Sequence, residues 1–179
     1  MTPLQICLLF SIPPLISAVK HFLGTKPYFA RVFAILSEEN DIGKLPIEAE
    51  DGLITAEDVK AMDLTNTELV VLSAGDTGLV DVLVGKGVFG LRRSFVLAGA
   101  KTLVMSMWKV SDEQTSELMI LFYEFLIEEG KTRSDALRSA QMAIKERYPN
   151  TYYWAAFICQ GDPGSLSDQV LGQIKGMEV

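Results

Sequence analysis

The sequence predicts an α/β fold, a mainly parallel, doubly wound sheet with helices on both faces. Three observations carry this. Residues 68–74 (ELVVLSA) and 102–108 (TLVMSMW) are apolar runs of strand length, as strands covered on both faces are. Between and after them stand stretches with apolar residues at helical spacing, opened by capping patterns and closed by Gly or Pro. The resulting order, strand, helix, strand, helix, helix, strand, fits right-handed crossovers within one sheet.

At 179 residues, 49% hydrophobic and 22% charged, the chain fits one domain able to bury a core without metal or disulfide support. Cys7 and Cys159 form no CxxC pair, and a single histidine, His21, leaves too few soft ligands for a usual zinc site. No metal and no cofactor is expected. With 23 acidic against 16 basic residues and a net charge of -7, the surface repels phosphate backbones, so nucleic acid is not an expected partner. Residues 4–19 are nearly all apolar, yet they lack a preceding Lys or Arg, contain Pro13-Pro14 and are too short to span a bilayer. They are read as a divergent first element or a misplaced start rather than a signal or anchor, and the expected location is the cytoplasm.

Residues 1–29 form a head without clear helical or strand period, and a regular body follows over 30–162 with a tail at 163–179. Residues 30–36 (ARVFAIL) read as a buried strand, and the acidic stretch from Ser37 to Gly52 as a solvated loop. Thr55 to Asp58 starts a short helix ending near Met62. Residues 68–74 are the central parallel strand. A glycine-rich loop leads to a helix over 88–98, with Phe89, Phe95 and Val96 inward, Arg92 and Arg93 outward, and Gly99 as its stop. After the strand at 102–108, Ser111 to Gln114 is a capping box opening a long helix. Its core stripe is Leu118, Leu121, Phe122, Phe125 and Leu126, and Gly130 ends it. Thr132 to Asp135 caps a further helix with Leu137, Ala140, Gln141 and Ile144 on one face and a stop at Pro149. Residues 152–159 read as the last strand.

Reactive groups in an open α/β sheet gather at the carboxyl ends of strands. The places to look are Gly75-Asp76-Thr77-Gly78 and residues 109–112. Here the sequence becomes familiar. Residues 70–78, VVLSAGDTG, resemble the VVLSACETG strand and loop of the CHAT domain family, which is related to caspases and separases. The resemblance continues through residues 87–95 (GVFGLRRSF), 97–100 (LAGA), 106–110 (SMWKV) and 152–157 (YYWAAF). It reaches back to residues 51–59 (DGLITAEDV), similar to the family's DGxLTAEEV, and so covers about residues 30–162.

The resemblance implies a caspase-like sheet and a cysteine peptidase dyad, a His-Gly after one strand and a cysteine at the end of its neighbour. In such a dyad an imidazole deprotonates a thiol while backbone N–H groups stabilise the oxyanion. Here the cysteine position is Gly75, which has no side chain to attack a carbonyl. The expected His-Gly lies before Ala30, yet His21 is followed by Phe22. Asp76 is a poor peptide-bond nucleophile, and Cys159, inside the run AAFIC, reads as a small buried hydrophobe. Ser106, Trp108 and Asp112 occupy the region that in caspase-like enzymes faces the substrate backbone and P1 side chain. The plainer reading is that Trp108 packs on a helix and Ser111 or Asp112 caps it.

Two other patterns fail on context. Residues 85–90 (GKGVFG) satisfy GxGxxG, but ten residues, 75–84, intervene after Ala74 where a dinucleotide fingerprint turns directly from strand to helix. Asp76, Ser106 and Lys109 resemble the acceptor, hydroxyl and lysine of a phospho-receiver, but no acidic pair closes the earlier strand to hold magnesium. The expectation is therefore a degenerate, N-terminally incomplete caspase-like domain without peptidase activity. It would bind a protein or peptide, with an upstream repeat-containing chain as one partner, or be the remnant of a larger peptidase, and would homo-oligomerise if the strand at 30–36 is an exposed edge. The alternative is an active CHAT-type cysteine endopeptidase with an unrecognised or upstream-supplied dyad.

Overall fold

Five short strands make one mixed sheet in the computed structural model, which describes residues 6–9, 32–33, 59–72, 87–108 and 110–175. They are β1 (Ile6–Leu9), β2 (Val32–Phe33), β3 (Leu69–Leu72), β4 (Thr102–Ser106) and β5 (Phe157–Gly161). The spatial order is β2-β1-β3-β4-β5. β1 runs parallel to both β2 and β3, and β3 parallel to β4, while β5 is antiparallel to β4. The sheet is thus mainly but not wholly parallel.

The helices are α1 (Gly87–Leu97), α2 (Asp112–Tyr123), α3 (Arg133–Arg147), the single turn α4 (Thr151–Trp154) and α5 (Asp168–Lys175). One π-helical turn, Glu124–Glu128, extends α2. The alternation of side chains along β3 and β4 divides the interior in two. Leu69, Val71 and Val104 face one core with Leu118, Phe122, Leu137 and Ile144 of α2 and α3. Val70, Leu72, Leu103 and Met105 face the other with Val59, Leu64, Phe95 and Ala98. The four β3 side chains are at most 1% exposed, each burial contributing about 1.5–3 kcal/mol. This two-faced covering is why those runs are continuously apolar.

Several local expectations hold. Gly99 sits at φ +102 and closes α1 with the paired bonds Gly99 N–H to the Val96 carbonyl and Ala100 N–H to the Phe95 carbonyl. Thr132 accepts from the Asp135 N–H and donates to its carboxylate, and Gly130 lies at φ +66. Residues 59–60 are helical and the chain turns through 61–62, while the start expected at Thr55 to Asp58 lies outside the described residues.

Others need correction. The head supplies β1, inserted between β2 and β3, although its sequence shows no strand period. A four-residue strand with parallel neighbours on both sides gains its stability from pairing, and too few residues stand in it to display a pattern. Of the strand expected over 30–36, Val32–Phe33 is seen, and it is the terminal strand of the described sheet. Residues 152–159 are not one strand. Asn150 accepts from the Tyr152 N–H and starts the α4 turn, so the strand begins only at Phe157.

Val96, expected inward, is 50% exposed, since α1 presents Ser94, Phe95 and Ala98 to the core. Ser111 makes no side-chain cap to the α2 backbone and bonds the Gln114 side chain instead. The buried stripe of α2 also lies beyond the one expected. Met119, Tyr123 and Ile127 are buried beside Leu118, Phe122 and Leu126, while Leu121 and Phe125 are only partly covered. α2 packs against α3 as well as the sheet, so two of its sides are inside. Within the segment expected as a tail, 163–179, Leu166 and Val170 join the α2–α3 core.

Candidate functional site

Register places the carboxyl ends of three strands at one level. Leu9 of β1 pairs with Leu72 of β3, and Leu72 pairs with Met105 of β4. The last residues of these three strands therefore lie at the same edge of the sheet. Gly75, Asp76, Thr77 and Gly78 come after β3 and lie outside the described residues, as does Lys109.

Ser106 ends β4 opposite Phe157 of β5. The residue is 3% exposed, and its Oγ has no hydrogen-bond partner among the described residues, a costly arrangement for a buried hydroxyl unless something else supplies one. Trp108 is half-buried, its indole N–H donating to the Tyr152 carbonyl at 3.0 Å. That bond ties the end of β4 to the α4 turn, as does Met107 N–H to the Ala156 carbonyl at 2.8 Å. Asp112, the first residue of α2, is exposed to solvent with Glu113 beside it. The three residues thus share one edge but differ in environment: a sealed hydroxyl, an anchored indole and a solvated carboxylate.

Met107 and Tyr152 also belong to this edge, although sequence alone does not single them out. Both are 46% exposed and flank Trp108 through the bonds just described. Tyr152 stacks edge-on to Tyr153, which in turn contacts Tyr148, giving this corner an aromatic wall. Alternation from buried Ser106 to outward Met107 is a signal that could have found the latter.

Cys159 sits inside β5, opposite Val104 and away from the carboxyl edge. Burial pushes its thiol pKa up, against the pull of Arg133 and with a further push from Asp162. It is held as a thiol, the inert form. A cleft of about 620 Å³ runs along the outer face of α3, lined by Lys131, Asp135, Arg138, Ser139, Met142, Ala143 and Glu146. None of the edge residues lines it. Among the described residues no group of three or more His, Cys, Asp or Glu could hold a metal ion, and no helix is long and apolar enough to cross a membrane.

The family model of the CHAT domain matches residues 22–162. The chain belongs to the CHAT domain family. Membership implies a caspase-like fold, and the described residues form a small mixed sheet with helices. The match also takes in residues 22–29, which sequence periodicity assigns to the head. Among curated proteins, this CHAT domain is similar to the human tetratricopeptide repeat protein 28, at 30% identity over 158 residues. The alignment takes in 84% of this chain and 6% of that protein, so the chain spans a small fraction of its relative's length.

Proposed function

We propose that this CHAT domain has lost peptidase activity and acts as a protein- or peptide-binding module. The observation that carries the reading is Gly75, which stands in VVLSAGDTG where the family's pattern has its cysteine. A hydrogen in place of a thiol leaves no nucleophile. Two further observations support it. The strand beside β3 is β1, and the residues after it are Phe10-Ser11-Ile12-Pro13, without the His-Gly that a general base needs. Cys159, the cysteine of the body, is protonated and in mid-strand.

The surface at Met107, Trp108 and Tyr152 suits an extended peptide with apolar side chains. Aromatic and Met side chains offer large contact area there, while Asp112 and Glu113 disfavour acidic ligands. The relative named for tetratricopeptide repeats makes a helical-repeat chain the partner we favour, in cis or in trans.

The test is hydrolysis of a mixed fluorogenic peptide library, with basic and acidic P1 residues, by the folded protein and by Gly75→Cys. Silence from both is the expected result, since restoring the thiol leaves it without a base. Saturable cleavage by the unmodified protein would establish the competing reading of an active endopeptidase.

A further inference from the structure

The segment beyond the family match is tied to a buried ion pair. Arg133, the first residue of α3, is 1% exposed, and Glu68, just before β3, is 7% exposed. Arg133 Nη2 donates to Glu68 Oε2 at 3.0 Å. The same carboxylate oxygen accepts the Ser167 N–H at 2.9 Å. Lys101 Nζ reaches the other oxygen at 3.5 Å. Arg133 Nη1 turns to the Gly164 carbonyl at 3.1 Å and the Asp162 carboxylate at 3.4 Å. The Arg133 N–H also donates to the Gly164 carbonyl, and Ser134 N–H to the Pro163 carbonyl. Asp162, Gly164 and Ser167 thus each make a polar contact with the Glu68–Arg133 ion pair. Beyond them the segment is held chiefly by the buried side chains Leu166 and Val170.

We infer that residues 163–175 form a strap latched to the sheet by the charge of Glu68, able to open as a unit while the sheet, α2 and α3 stay folded. Neutralising Glu68 leaves the buried Arg133 guanidinium with the exposed Asp162 carboxylate at 3.4 Å as its counter-charge among the described residues, an unfavourable arrangement for a buried cation. Lifting the strap brings water to that cation, because Gly164 and Ser167 of the strap lie against the ion pair. A short helix with two buried apolar anchors is also the type of unit that opens below the global unfolding free energy. The latch lies at the amino end of β3, opposite the edge that carries Trp108, so opening need not disturb that edge.

The ionisable groups around the latch are Lys101 before β4, Arg133 on α3, Cys159 on β5, Asp162 after β5 and Asp168 at the start of α5. Arg133 and Lys101 favour the Glu68 anion, and Asp162 shares Arg133 with it.

The experiment is amide hydrogen exchange on the full chain, comparing the unmodified protein with Glu68→Gln. Exchange over residues 166–172 is expected to accelerate by roughly tenfold or more, with β3 and β4 amides changing much less. Equal acceleration everywhere would make Glu68 a global structural residue, and no acceleration would make the apolar anchors sufficient; either overturns the latch. Should Glu68→Gln fail to fold, the unmodified protein supplies the decision. The Ser167 amide resonance, read by NMR from pH 7 downwards, should move as Glu68 protonates, and protection over residues 166–172 should fall before that of β4. A Ser167 resonance that does not titrate, or strap protection lost only together with the sheet, refutes the proposal.

Discussion

Three glycines separate steric from conformational demands, and Gly161→Ala is the most damaging of the substitutions they invite. Gly161 ends β5 at φ +103, and a Cβ placed there would lie 2.2 Å from the Lys101 carbonyl oxygen and 3.3 Å from Thr102 Cα. That carbonyl accepts the Asp162 N–H at 3.0 Å, so it cannot retreat without breaking the bond that closes the β4–β5 pairing. The positive φ costs about 1–3 kcal/mol for an L side chain. Forcing the overlap costs about another 1–3 kcal/mol. The sum, about 2–6 kcal/mol, is a large part of a domain's usual 5–15 kcal/mol. Gly130→Ala shares the positive φ, +66, but meets nothing within 4 Å, so about 1 kcal/mol is expected. Gly172→Ala, in α5 with open space around it, should gain about 0.5–1 kcal/mol. Urea unfolding followed by circular dichroism measures all three. If Gly161→Ala were no worse than Gly130→Ala, the close approach to Lys101 would not constrain the fold.

Three other predictions rest on single contacts. Thr132→Ala should cost about 1 kcal/mol through loss of its bond to the Asp135 N–H, whereas Ser111→Ala, without a backbone cap to lose, should stay within about 0.5 kcal/mol in the same assay. Cys159 should react with iodoacetamide at pH 7 far more slowly in the folded than in the denatured protein, because burial raises its pKa; equal rates would contradict its mid-strand placement. Burial raises the Glu68 carboxyl pKa, but the bonds from Ser167 and the charges of Lys101 and Arg133 outweigh this and leave it lowered. Its stabilisation is therefore present above the ordinary glutamate value of about 4.3 and lost as pH falls through the folded value. Thermal unfolding between about pH 6 and 3 should show a shallower decline for Glu68→Gln than for the unmodified protein; identical slopes would remove Glu68 from the acid response.

The covered strands β3 and β4, the stops at Gly99, Gly130 and Pro149 and the cap at Thr132 were legible because each rests on local chemistry. Apolar runs, positive-φ positions and hydroxyl caps act within a few residues of sequence. The same held for the resemblance through residues 70–78, which pointed to the family matched over residues 22–162. The candidate edge was legible in part. Ser106, Trp108 and Asp112 could be placed near a strand end, but not that Ser106 is sealed, that Trp108 is tied to Tyr152, or that Met107 and Tyr152 stand exposed beside it.

What only the tertiary structure decided depends on partners far apart in the chain. β1 is a strand because β2 and β3 lie on either side of it, and nothing in ICLL states that. The antiparallel direction of β5 exists only in its pairing with β4. Glu68 and Arg133 stand 65 positions apart, and nothing local in the sequence pairs them. By itself the sequence determined which segments are buried and which family pattern they carry, since burial preference and backbone freedom belong to each residue. The pairing of the ion pair, the docking of α5 and the neighbours of each strand were decided only by folding, because charge compensation and sheet register exist between residues, not within them.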